Sequence, residues 1–378
     1  MKKLNIAVFF GGCSSEYGVS LQSASAVIRN LDPEKYQPVP VGITTDGRWF
    51  YVPVDSDRMK ADHMEADCIG ADYMEADCIG AEHIETDRWQ DAKGCVPAAL
   101  SPDRTEHCLL LFQEDGIRRM PVDVAFPVLH GKNGEDGTVQ GLIDLAGIPL
   151  AGCGVLASAL CMDKHRAHLL AEAAGVRVPQ GFVLKSETEI PAAQEFADKT
   201  GYPLFVKPVK AGSSYGISRV SKPQNLYNAI VLAFQYDDQV ILEEAIDGFE
   251  TGCAVLGNEE LLMGEIDEIE LSGGFFNFTE KYTLKTSAIH VPARIHPEQA
   301  AQLRQTAGII YRALGCSGFA RVDMFLTSKG EIVFNEVNTI PGFTEHSRYP
   351  GMMKAAGLSF KEILDRVIGL ALEKSHRE

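Results

Sequence analysis

Hydrophobic positions in this 378-residue chain change rhythm part-way along it. Near the start Leu4, Ile6, Ala7, Val8, Phe9 and Phe10 make an almost continuous apolar run closed by Gly11 and Gly12, which predicts a strand over 4–10 buried on both faces. Ala24, Val27, Ile28 and Leu31 then recur at helical spacing, so a helix follows the Gly-rich turn. A second buried strand is expected over 122–129, running into the segment 130–137. A helix over 161–174 follows, ended by Gly175 with Pro179 beyond. Strands alternating with helices indicate a parallel sheet, and a turn between strand and helix is where such sheets bind ligands. From about residue 200 the strands crowd together, at 203–207, 240–245, 251–256 and 261–266, with one helix near 224–234 between the first two. This is an antiparallel α+β layout. A later strand is expected over 331–337, and Phe360, Ile363, Leu364, Val367, Ile368 and Ala371 predict a last amphipathic helix docked on the core.

Composition narrows the class. The length allows roughly two to three domains, and an apolar share of 45% suits a soluble globular enzyme. No stretch approaches the roughly 20 apolar residues of a spanning helix. The run after Met1, Lys2 and Lys3 is too short for a signal peptide, so a cytoplasmic protein with no membrane partner is expected. Nine cysteines, an odd number without a CxxC pair, fit a reducing compartment. A net charge of -17 argues against a nucleic-acid partner, which would need basic surface. That charge is concentrated: residues 55–91 carry twelve Asp/Glu against three Lys/Arg. The cause is a repeat, with near-identical copies at 62–71 and 72–81 and a decayed third starting at Glu82. Two and a half copies are too few for a solenoid. His63, Cys68, Asp72 and Cys78 match no structural zinc spacing, so the segment reads as a solvated acidic insertion rather than a metal site.

Chemistry enters with two segments. Phe205, Val206 and Lys207 leave a buried strand through Pro208 and reach Ala211-Gly212-Ser213-Ser214-Tyr215-Gly216, whose small residues let N–H groups and hydroxyls close around a phosphate. By itself Lys207 would read as a surface lysine at a strand end. Glu336 and Asn338, however, stand two apart in a predicted strand and leave the same face, and Asp323 on the preceding hairpin arm can complete a hard oxygen set. Together the segments describe a site for ATP and magnesium.

The order of motifs then carries a resemblance. Gly11-Gly12-Cys13-Ser14-Ser15-Glu16, His130-Gly131 with Gly134-Glu135-Asp136-Gly137, Met162-Asp163-Lys164, Lys207-Pro208 with Gly212-Ser213-Ser214, Glu280-Lys281-Tyr282, Arg321-Val322-Asp323 and Asn335-Glu336-Val337-Asn338 stand in the order seen in D-alanyl-D-alanine ligases. The chain resembles that family throughout except in the repeat. The resemblance implies an α/β and α+β protein, with a small N-terminal doubly wound parallel-sheet domain followed by a two-lobed ATP-grasp domain. The expected boundaries are 1–155, holding the insertion at about 55–91, then a central lobe at 156–245 and a C-terminal lobe at 246–378 with the metal and substrate site. A homodimer is also implied.

What this implies chemically is ligation of D-alanine to a second D-amino acid for peptidoglycan precursors. A carboxylate acylates poorly, so the γ-phosphate of ATP is first moved to D-alanine, and the acyl phosphate is then attacked by the second amine. By resemblance Asp323, Glu336 and Asn338 hold two Mg²⁺, or Mn²⁺, bridging the phosphates. Lys164 and Lys207 match the family's α/β-phosphate lysines, Lys281 its γ-phosphate lysine, and Ser214 a phosphate-lining residue. Glu243 and Glu250 match acceptors for the adenine amine and the ribose. Glu16 would take the first ammonium with His130 beside it, and Arg321 with the Gly342 N–H would stabilise the tetrahedral oxyanion. Ser213 and Tyr282 would bridge to Glu16 and exclude water, and Ser347 would bind the second carboxylate. Glu16 also has a plainer reading, as an acid in a helix's first turn.

Two other classes are open to such a chain, a different ATP-grasp carboxylate ligase and a silent nucleotide-binding protein. The His130-Gly131 and Glu280-Lys281-Tyr282 segments count against the first, and the intact set of Arg321, Asp323, Glu336 and Asn338 against the second. For the second substrate, Tyr282 resembles the loop residue of ligases that accept an amino acid rather than D-lactate. Arg348 replaces the apolar residue usual in housekeeping D-alanyl-D-alanine ligases, and the stretch around Phe275 to Lys285 resembles VanG-type D-alanine:D-serine ligases. D-serine is therefore expected, with D-alanine as the alternative.

Overall fold

The first apolar run becomes strand β1 (Leu4–Gly11), in which Ile6, Ala7, Val8, Phe9 and Phe10 are completely buried. Burial on both faces goes with paired edges, and β1 lies parallel between β2 (Tyr36–Ile43) and β7 (Val124–Pro127). The computed structural model describes residues 2–54, 78–212, 215–271 and 287–375. The chain divides into two compact units, one of Met1–Val155, Ile340–Pro350 and Gly357–Glu378, the other of Leu156–Thr339 and Gly351–Ala356.

The first unit is built on a seven-stranded sheet in the order β6-β5-β4-β3-β2-β1-β7. Strands β3 (Trp49–Tyr51), β4 (Val96–Leu100), β5 (Cys108–Gln113) and β6 (Gly116–Pro121) extend it antiparallel, so the sheet is mixed and its parallel part is β2-β1-β7. Connection length is the reason: Glu114 and Asp115 alone join β5 to β6, whereas a parallel crossover needs about a dozen residues. Helix α1 (Tyr17–Asn30) buries Ala24, Val27 and Ile28. The helix Phe360–Ser375 buries Ile363, Leu364, Val367, Ile368 and Ala371, packing on α1 and β7 as its periodicity required.

The acidic insertion is narrower than its charge suggested. Ile79 bridges to Val54, helix α2 (Ala81–Glu85) packs on α1, and both Ile84 and Trp89 are completely buried. The Trp89 indole meets Phe10 edge-on with ring centroids 5.5 Å apart and donates from Nε1 to the Tyr17 hydroxyl at 3.1 Å. A Cβ on Gly42 would lie 2.7 Å from this ring, so glycine in β2 is what admits it. Ile79, Ala81, Ile84 and Trp89 therefore belong to the core of the first unit and correct the reading of 55–91 as one solvated segment. Of the four repeat side chains weighed as metal ligands, only half-buried Cys78 is among the described residues. Among the described residues no disulfide joins the cysteines.

In both units helices cover the sheets. Helix α3 (Thr138–Leu145) follows the 130–137 segment, and the single helix expected over 161–174 is instead α4 (Val155–Met162) and α5 (Lys164–Ala173). Asp163 makes the break, with extended backbone and a carboxylate that accepts the Arg166 N–H at 2.9 Å, because aspartate is a strong helix N-cap. The second unit then holds two antiparallel sheets. Strands β8 (Gly181–Leu184), β9 (Leu204–Pro208), β10 (Ser218–Val220) and β11 (Val240–Glu244) order as β10-β9-β11-β8. Strands β12 (Gly248–Leu256), β13 (Leu262–Leu271), β14 (Ser287–His290), β15 (Phe319–Thr327) and β16 (Ile332–Asn338) order as β14-β13-β12-β15-β16.

Trp89→Ala is expected to cost about 3–5 kcal/mol of stability in urea unfolding, as emptying a buried indole site does. Removing one repeat copy, residues 62–71, should leave melting and turnover unchanged. A deletion through residue 81 should not, because it takes Ile79 and Ala81 out of the core.

Candidate active site

In the first unit the chain leaves β1 through Gly11 and Gly12, at φ of 86° and 95°. A Cβ on Gly11 would strike the Ile43 carbonyl oxygen at 2.2 Å, so this turn needs glycine. Glu16 follows, just ahead of α1. Its carboxylate makes no capping bond to that helix. It is instead buried against the second loop, where a Cβ on Gly131 would come within 2.8 Å of Glu16 Oε2. Ser14 Oγ donates to the His130 carbonyl at 2.6 Å and accepts the Glu16 N–H at 3.2 Å, tying the two loops together. The His130 ring in turn reaches the Ile340 carbonyl oxygen, 3.0 Å from Nδ1. Two residues on, Gly342 abuts Ser347, whose Oγ would lie 3.1 Å from a Cβ there. Ser347 Oγ accepts the Thr344 N–H at 3.0 Å, and the two hydroxyl oxygens are 2.8 Å apart. Half-buried Arg348 opens the helix Arg348–Ala355.

In the second unit the break at Asp163 sets Lys164 at the start of α5, and its Nζ donates to the Ala211 carbonyl at 2.8 Å beside the Gly-Ser turn. Glu243 stands opposite Phe205 in the β9/β11 pairing, a diagonal neighbour of Lys207 on the same face. The Lys207 ammonium lies 2.6 Å from Glu243 Oε2. Burial pushes the Glu243 carboxyl up, but the attraction of Lys207 outweighs it and holds the group below its ordinary value. Its other oxygen, Oε1, is buried without a hydrogen-bond partner. His168 explains why. Burial, against the pull of Glu243, holds its imidazole below the usual 6.5, and its Nε2 donates to the Asn335 carbonyl at 2.8 Å. The neutral ring therefore turns a lone pair toward Glu243 Oε1, 3.4 Å away. Such an oxygen is suited to an incoming N–H donor.

The third group lies on β15 and β16. Asp323 stands opposite Glu336 and Arg321 opposite Asn338. Met324 is already paired with Phe334, so Asn335 is an extra residue, a bulge in β16. Unbulged, Glu336 would share the face of fully buried Phe334. With the bulge, Arg321, Asp323, Glu336 and Asn338 share one face, and Glu250, opposite Phe325 on β12, shares it too. Asp323 accepts from Arg321 Nε and Nη2, each at 2.8 Å, and from Asn338 Nδ2 at 2.9 Å. A half-turn of the Asn338 amide would present its oxygen instead. Two carboxylates and an amide oxygen form a hard donor set, which fits Mg²⁺.

Residues 5–153 match the D-ala D-ala ligase N-terminus and residues 170–369 the D-ala D-ala ligase C-terminus. The chain belongs to the D-alanine–D-alanine ligase family. It is an ATP-dependent ligase of peptidoglycan precursors. The structure of the VanG D-Ala:D-Ser ligase from Enterococcus faecalis superposes with a TM-score of 0.85 at 51% identity, covering 98% of this chain and 100% of that one. A putative D-alanine–D-lactate ligase of Streptomyces coelicolor is 44% identical over 98% of this chain and 99% of its own length. The D-alanine–D-alanine ligase of Caldicellulosiruptor bescii is 39% identical over 100% of this chain and 98% of its own. No helix among the described residues is long and apolar enough to cross a membrane.

In this ligase the expected residues thus form three groups: Glu16, His130, Gly342 and Ser347; Lys164, Lys207 and Glu243; and Arg321, Asp323, Glu336 and Asn338 with Glu250 on the same sheet face. Ser213, Ser214, Lys281 and Tyr282 lie outside the described residues. Reading the sequence missed His168, although its spacing of four from Lys164 on a helix was a visible signal. It also missed Ser23, which stands among apolar neighbours on α1 with nothing local to mark it.

The unfolded ligase binds a proton at His168 more readily than the folded one. The stability supplied by the neutral buried ring is therefore complete above its ordinary value of 6.5 and is lost as pH falls below it. Glu243, held below its usual range, works in the same direction at lower pH. The melting temperature should fall between about pH 7 and about pH 5, and should fall less in His168→Gln, as followed by circular dichroism. An unchanged slope in the variant would put the titrating group elsewhere.

Proposed function

We propose that this ligase joins D-alanine to D-serine through a D-alanyl phosphate, working as a homodimer in the cytoplasm. The observation that carries the second substrate is the 51% identity with the VanG D-Ala:D-Ser ligase, above the 44% and 39% with relatives named for D-lactate and D-alanine. Arg348 agrees with it, since a buried D-serine hydroxyl without a partner would cost about 1–3 kcal/mol. Tyr282 reads against D-lactate. The C. bescii relative keeps D-alanine as the second reading.

Bound with magnesium, ATP supplies the phosphoryl group that activates the first D-alanine. The chain's own residues bind, orient and neutralise. Glu243 Oε1, buried without a partner, would accept the adenine amine and Glu250 the ribose hydroxyls. Lys164, Lys207, Lys281 and Ser214 would balance the phosphates, and Asp323, Glu336 and Asn338 would hold two Mg²⁺. Glu16 would take the first ammonium with His130 beside it, and Arg321 and the Gly342 N–H would stabilise the oxyanion. Ser213 and Tyr282 would exclude water over Glu16. Ser347 Oγ can accept both Thr344 donors and keep its own proton for the second substrate's carboxylate. The sheets β10-β9-β11-β8 and β14-β13-β12-β15-β16 would serve as the cores of the lobes at 156–245 and 246–378.

Phosphate release at fixed D-alanine, with D-serine, D-alanine or D-lactate as second substrate and the product identified by mass, tests the reading. D-serine should give the highest kcat/KM, and Arg348→Leu should shift the ratio toward D-alanine about tenfold. Equal or greater efficiency with D-alanine in the unmodified enzyme would support the second reading. Glu336→Gln removes one full charge from the metal set and should lower turnover at least about a hundredfold with the melting temperature kept. Near-normal activity at saturating magnesium would sink that assignment.

A further inference from the structure

Residues 340–343 carry Gly342, yet no helix or strand holds them. Within the first unit their backbone is fastened to one buried hydroxyl on α1. The Ile340 carbonyl oxygen can only accept, so His130 Nδ1, 3.0 Å away, donates to it. Ser23 Oγ lies 3.4 Å from the other ring nitrogen, Nε2. The same oxygen accepts the Phe343 N–H at 3.2 Å. Phe343 thus donates to Ser23 and His130 donates to Ile340, with the Ser23 hydroxyl and the second ring nitrogen in contact between them. Ser23 is fully buried and His130 is 5% exposed, so water does not compete for these groups. The Phe343 ring adds an aromatic anchor, stacked on Tyr349 at 5.7 Å and edge-on to Phe126 at 6.0 Å.

We propose that Ser23 is a positioning residue for the ligation, acting through His130 and Phe343 to fix the stretch of backbone that presents the Gly342 N–H. The inference rests on Gly342 as an oxyanion donor, and gives His130 a part in the reaction that runs through residues 340–343. Removing the hydroxyl takes away the Ser23 bond to the buried Phe343 N–H and its contact with the His130 ring, loosening the segment, which matters where one aligned donor is worth about a hundredfold.

The test is steady-state phosphate release by Ser23→Ala, Ser23→Thr and Ser23→Val. Threonine and valine impose the same bulk and differ only in the hydroxyl, so that pair decides the matter even if the alanine variant fails to fold. The expected result is a fall in kcat of about tenfold or more in Ser23→Ala with the KM for ATP within about twofold, and a kcat at least about fivefold higher for threonine than for valine. Equal kcat for threonine and valine, or an alanine variant within about twofold of the parent, would overturn it. An unmodified enzyme that releases no phosphate with D-alanine would instead overturn the proposed function, so the two failures are told apart.

Discussion

A strand puts residues two apart on the same face, and β16 departs from that rule once, at Asn335. The departure arranges everything on that sheet face. Phe334 must face the apolar side, where it is completely buried and meets His168 edge-on at 5.4 Å. Glu336 and Asn338 must face Arg321 and Asp323. A strict period of two cannot satisfy both demands, and one extra residue does. The bulge carbonyl is left outside the ladder, and His168 Nε2 takes it. That bond links the bulge to helix α5, and through the same ring to Glu243 and Lys207. One local irregularity thus couples β16 to the buried pair of Lys207 and Glu243.

Glu243 shows why such a link is expensive and tolerated. A carboxylate 1% exposed and flanked by a neutral imidazole would protonate if Lys207 were not 2.6 Å from it. The ion pair satisfies one oxygen and leaves the other unpartnered. Buried polar groups in a finished core are nearly always paired, so an orphan oxygen beside a lysine is better understood as half of an interaction that a ligand completes.

Much of this was legible in the chain. The face shared by Glu336 and Asn338, the α1 and C-terminal helix stripes, and the change from parallel strands to antiparallel sheets all follow from periodicity, which is a local property. What was not legible depends on partners distant in sequence. The antiparallel extension β3 to β6 comes from short, partly exposed strands with weak alternation, such as the charged edge strand β6. The burial of Trp89 depends on a missing side chain at Gly42, some fifty residues earlier, while the acidic repeat before it masks the apolar pair Ala81 and Ile84. Ser23 and His168 acquire meaning only from carbonyls and amides more than a hundred and fifty residues away. Asp163 was visible as a residue, yet the apolar continuity on either side of it hid the helix break that it makes.

The same scaffold is matched along its full length by relatives named for D-lactate, D-alanine and D-serine, so the fold determines the phosphoryl chemistry and leaves the second substrate to a few side chains. Selection at that level is asymmetric. A subsite that merely tolerates a hydroxyl separates D-serine from D-alanine weakly, whereas one that needs the hydroxyl to satisfy its own buried groups rejects the analogue lacking it strongly. Arg348 is half-buried and already has interactions within the protein, so it does not depend wholly on the substrate for its partners. If D-serine is the second substrate as proposed, such a subsite would belong on the tolerant side, gaining one polar contact from the hydroxyl and still admitting D-alanine.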